Sequence, residues 1–131
     1  MPTSFSRYAD LLADAARRVR ELMPWDLRDH LAAEPSLVVL DVREPGQFGE
    51  SHLLFATPLP YSRLEHDIAM LVPRKSARIV LCDEEGKGAS TLAAKRLQAL
   101  DYTDVATLDG GNKAWAAAGY ALFKGVNVPS K

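Results

Sequence analysis

The 131-residue sequence holds a single cysteine, and none of its apolar runs approaches the roughly 18 residues that a membrane-spanning helix needs. A lone thiol cannot close an internal disulfide, so the usual mark of an oxidising compartment is missing and a cytoplasmic protein is expected. An excess of charge is missing too. Sixteen basic residues stand against 17 acidic ones, a net charge of −1, which provides no positive field to gather nucleic acid or coat an anionic membrane. Residues 1–20 contain no continuous apolar stretch of the secretory kind. His30, His52 and His66 are too far apart for a local chelate and Cys82 has no second thiol nearby, so neither a metal nor a cofactor is expected. Gly86-Lys87-Gly88 fits neither the dinucleotide fingerprint nor the P-loop, and Ser62 and Ser90 lack a nucleophile-elbow context.

What remains is the composition of one globular domain, 47% apolar and 25% charged. Phe5, Tyr8, Leu12, Ala15, Val19 and Leu22 recur at helical spacing, which predicts an amphipathic helical extension over residues 1–23 ahead of a main domain over 24–131. Pro24 then opens a short helix carrying Trp25, Leu27, Leu31 and Ala32. Residues 37–40, 78–82 and 104–108 are short apolar runs that read as buried strands. Between them lie a helix marked by Leu64, Ile68, Leu71 and Val72, and another marked by Ala89, Leu92, Ala93, Leu97 and Leu100. A last helix over 112–118 ends at Gly119. Strands alternating with helices predict an α/β fold, a parallel sheet covered on both faces.

In such sheets ligands bind beyond the carboxyl ends of the strands, where loops lead into helix N-termini with unpaired backbone N–H groups. Cys82 ends the second strand, followed by the polar loop Asp83, Glu84, Glu85, Gly86, Lys87, Gly88. If the loop curls over the sulfur, its N–H groups and the following helix favour the thiolate, and the two glycines accept the positive φ angles of a tight cradle. The plain alternative is a small buried hydrophobe, against which the polar, glycine-bearing loop argues. Trp115 reads as a core anchor.

Three blocks then resemble the rhodanese homology domain. They are Leu37-Val38-Val39-Leu40-Asp41-Val42-Arg43-Glu44-Pro45 with Phe48 and His52; Ile79-Val80-Leu81-Cys82; and Tyr102-Thr103-Asp104-Val105 with Leu108-Asp109-Gly110-Gly111, Ala114-Trp115 and Ala118-Gly119. The resemblance implies a doubly wound parallel sheet, here with an added N-terminal helix. It also implies sulfurtransferase or persulfide-carrier chemistry, with Cys82 as the catalytic nucleophile, the 83–88 loop as the substrate-binding cradle, and a small-molecule or protein sulfur donor and a thiol acceptor as partners. Asp41–Glu44 and His52 read as supports of the first strand. The loop departs from the common Cys-Arg-x-Gly-x-Arg pattern. Asp83 stands where an arginine is frequent, and Lys87 or Gly88, depending on the alignment, where the last one belongs. Three acids beside the sulfur are expected to raise the thiol pKa and repel anionic donors. The alternative is therefore a weakly active or inactive rhodanese-fold module that binds a partner. A phosphatase or arsenate reductase fits less well, because its longer loop ends in arginine.

Overall fold

The computed structural model describes residues 19–44, 52–53, 55–86 and 88–122. Five strands form one sheet: β1 (Arg20–Leu22), β2 (Val38–Asp41), β3 (Ala56–Pro58), β4 (Ile79–Cys82) and β5 (Val105–Leu108). Every pairing is parallel and the order is β1-β5-β4-β2-β3, so β4 lies at the centre. Among the described residues four α-helices pack on it: α1 (Pro24–Ala33), α2 (Leu64–Leu71) and α3 (Ala89–Ala99), which lie between strands, and α4 (Gly111–Ala117), which follows β5. The expected α/β sheet with helices on both faces is thus observed.

Side chains alternate across a strand, so the sheet builds two apolar layers. Leu40, Ile79, Leu81 and Val105 face α2 and α3, where Leu64, Ile68, Ala93 and Leu97 complete the layer. Val39, Val80, Cys82, Ala106 and Leu108 face the other way, against Leu27 of α1 and Trp115 of α4. Trp115 is only 6% exposed and its Nε1–H donates to the Ala121 carbonyl at 2.9 Å. Trp115→Ala is expected to cost about 3 kcal/mol, read as a lower urea midpoint with an unchanged m-value.

Two sequence expectations change. Residues 20–22 were expected in a helix, but they form the edge strand β1, in register with Ala106–Leu108 of β5. Pro24 explains this, because the residue before a proline is pushed out of the α region, and Met23 is extended at φ −72°, ψ 158°. A helix cannot run through that point. The remainder of the expected helical extension, residues 1–18, lies outside the described residues. The second change is β3, which pairs with β2 yet has only three residues and no apolar alternation to announce it.

Candidate functional site

The alternation that builds the two layers also decides what the end of β4 presents. Cys82 has the parity of Val80 and points into the α1/α4 layer, where it is fully buried. Among the described residues its one hydrogen bond is from Sγ–H to the Leu40 carbonyl oxygen, at 3.6 Å. Asp83 has the opposite parity and turns toward α3. Its carboxylate accepts the Gly86 N–H through Oδ1 and the Ser90 N–H through Oδ2, the latter at 2.9 Å. The expected convergence of loop N–H groups therefore exists, but on residue 83. The Cys82 side chain itself faces the layer of Val80, because side chains alternate along β4.

The carboxylate is well matched to this place. The N-cap of α3 is Gly88, which has no side chain to satisfy the first N–H groups of the helix, and Asp83 reaches across the loop to do so. Its negative charge also sits at the positive end of the α3 dipole.

The loop is clamped from below by the Gly110-Gly111 turn. The Asp83 and Glu84 carbonyls accept the N–H groups of Asn112 (2.8 Å) and Lys113 (3.0 Å), in the first turn of α4. Gly86 has φ +77°, and a Cβ there would lie 2.5 Å from Gly110 N and 2.7 Å from Leu108 O. Gly111, at φ +65°, leaves equally little room: a Cβ would stand 2.5 Å from both Asp83 O and Gly86 N. Only glycine fits either position.

The other two acids of the loop are held by cations. Glu84 pairs with Arg43 Nη1 at 2.9 Å, and Glu85 with Lys113 Nζ at 2.9 Å. Gly86 is buried and Gly88, at φ +93°, is exposed; Lys87 lies outside the described residues. Burial pushes the Cys82 thiol well above its ordinary pKa of 9.0. The Asp41 and Asp83 charges push the same way, and Arg43 opposes them. The expected rise is present, but burial is its main cause and the part played by the acidic loop comes from Asp83.

Sequence reasoning did not give Arg43 its full role. It is 5% exposed, and Nε and Nη2 donate to the fully buried Asp41 carboxylate, Nη2 to Oδ2 at 2.7 Å, while Nη1 reaches Glu84. With its oxygen toward the guanidinium, the Asn112 amide accepts from Arg43 Nη2 at 3.0 Å and donates to Asp83 O at 3.2 Å. Arg43 thus ties the end of β2 to the 83–86 loop and α4. His52 is likewise buried, its Nδ1 2.8 Å from the Leu53 carbonyl. Among the described residues no cluster of His, Cys, Asp and Glu is arranged to hold a metal ion, and no helix is long and apolar enough to cross a membrane.

This central parallel strand, the polar loop at its carboxyl end and the glycine turn beneath it belong to a known class. The Rhodanese-like domain model matches residues 23–118, and the chain is a member of that family. Among solved structures it is similar to a thiosulfate sulfurtransferase from Pseudomonas aeruginosa, with 46% identity and a TM-score of 0.80, covering 86% of this chain and 21% of that one. The Alr3790 protein from Anabaena sp. is also similar, with 26% identity and a TM-score of 0.73, covering 80% of this chain and 93% of that one. Curated relatives include the Synechocystis protein slr1261, 28% identical over 99 residues, and a probable adenylyltransferase/sulfurtransferase, MoeZ, from Mycobacterium tuberculosis, 26% identical over 116 residues. The matches span 76% and 86% of this chain but only 54% and 29% of those relatives.

Proposed function

We propose that this domain is a rhodanese-fold module that serves sulfur-transfer proteins as a structural or partner-binding unit and does not itself carry sulfur on Cys82. The observation that supports this reading is the parity at the end of β4: the thiol is sealed in an apolar layer, while the loop donors that would hold a charged sulfur are engaged by the Asp83 carboxylate. A persulfide on Cys82 would add an atom to a close-packed layer in which, among the described residues, no N–H group donates to the sulfur. The sulfur donor and thiol acceptor implied by the family then belong to another domain or chain, and a reducing cytoplasm suits the unpaired thiol. The competing reading, a persulfide carrier acting through Cys82, draws on the family membership and the likeness to the P. aeruginosa sulfurtransferase.

An intact mass spectrum separates the two. After incubation of the folded protein with thiosulfate, 3-mercaptopyruvate or cysteine persulfide, the expected mass is unchanged, and iodoacetamide labels Cys82 only in denaturant. Stoichiometric gain of one sulfur on Cys82 in the folded protein overturns the proposal. The raised thiol pKa carries a sign of its own. Its contribution to stability is full below the unfolded thiol's ordinary pKa of 9.0 and is lost as pH climbs through the folded value. Cys82→Ser should therefore flatten the alkaline limb of the stability profile.

A further inference from the structure

We propose that a groove at the opposite end of the sheet from the 83–88 loop binds a partner segment presenting a bulky apolar side chain next to a carboxylate. Helix α1 leaves the carboxyl end of β1 and returns to the start of β2, so its last turns lie at the amino-terminal edge of the sheet. The chain leaving α4 arrives at the same edge. Between them is a cavity of about 470 Å³ whose walls include Leu31, Phe55, Trp115 and Tyr120. That volume is in the range of ligand-binding clefts. Phe55 is 58% exposed there, a large apolar side chain without cover among the described residues.

The charge at the rim identifies the occupant. The Arg28 guanidinium carbon stands 5.3 Å from the centroid of the Tyr120 ring, and among the described residues Arg28 makes no hydrogen bond or ion pair. A cation held over a ring face spends no N–H hydrogen bond on it, and the guanidinium N–H groups form the fork that matches a carboxylate. An apolar cleft with one such cation beside it fits the C-terminal residue of a partner chain, its bulky apolar side chain in the cleft and its terminal carboxylate on the guanidinium. A purely apolar segment would leave the guanidinium without a carboxylate, and a basic one would be repelled.

The probe is a fluorescein-labelled hexapeptide ending in Leu-Phe, made as the free acid and as the C-terminal amide, titrated into the full chain by fluorescence polarisation. The free acid is expected to bind saturably and about tenfold more tightly than the amide. Amide-resonance shifts should centre on Arg28, Phe55 and Tyr120. Arg28→Gln, at an exposed position, should keep its thermal midpoint and remove the preference for the acid, whereas Phe55→Ala should weaken both peptides. Equal affinity for acid and amide, a preference that survives Arg28→Gln, shifts mapping elsewhere, or no binding at millimolar peptide each overturns the proposal. So does finding the groove filled by residues 123–131 or by a second copy of the chain. None of these outcomes bears on sulfur gain at Cys82, so the two readings fail separately.

Discussion

Asp83→Cys, made in a Cys82→Ser background, is expected to gain one sulfur atom from a persulfide donor where the parent gains none. In the parent, the two carboxylate oxygens of Asp83 lie one bond beyond Cγ and accept the Gly86 and Ser90 N–H groups. A cysteine at this position puts Sγ close to Cγ, and the outer sulfur of a persulfide one bond further, where those donors already point. The donors and the α3 dipole favour the thiolate, so the introduced thiol should ionise below the ordinary cysteine value, whereas Cys82 of the parent lies above it. With thiosulfate the thiolate attacks the outer sulfur, the S–S bond breaks, and sulfite leaves with the electron pair. Glu84 and Glu85 stand at the loop rim, so this dianion should react more slowly than cysteine persulfide. The variant loses the carboxylate that caps α3, at a cost of about 1 kcal/mol, which a folded domain tolerates. Mass spectrometry after each donor, with an iodoacetamide pH profile, checks the result. If the variant stays unmodified and its thiol titrates no lower than an ordinary cysteine, the loop donors do not form an anion cradle.

The same alternation shows what could be read in the sequence. Residues 37–40, 78–82 and 104–108 are apolar on both faces because helices cover both faces, and each lies within one residue of a strand. The helices after them follow from 3.6-residue spacing, and α2 stops before Pro73 as its ring requires. β1 was lost because Val19 and Leu22 also suit a helical stripe. The decisive signal was Pro24, whose effect on Met23 ends any helix arriving from the N-terminal side. β3 has no such signal, since three residues chosen by their register with Val39–Asp41 carry no pattern of their own. The site could have been placed better. Ile79 and Leu81 face the helix that follows the loop, so the residue lying beneath that helix's N-terminus is two positions after Leu81, which is Asp83. Parity alone separates it from Cys82. The grip of Arg43 on Asp41, Glu84 and Asn112 joins three distant segments, and no local spacing reports such a contact.

That grip carries the second large effect. Arg43→Ala is expected to destabilise the domain by about 3–5 kcal/mol, because it leaves the Asp41 carboxylate, which is fully buried, without its partner. The cost lies less in the lost attraction than in the stranded charge. Removing both charges should therefore recover most of the loss, and the double variant Asp41→Asn/Arg43→Met, which keeps volume and leaves an amide able to accept the Arg43 backbone N–H now bound by Asp41, is the test. Chemical denaturation of the parent, Asp41→Asn, Arg43→Met and the double variant gives the coupling directly. A second readout follows from position. Arg43 also holds Glu84 and the Asn112 amide, so the single variant should speed amide hydrogen exchange at Gly86 and Ser90 more than at Ala93 or Leu97, deeper in α3. If Arg43→Ala costs under about 1 kcal/mol, the carboxylate has found water or another donor. The pair is then not what fixes the end of β2 against the loop.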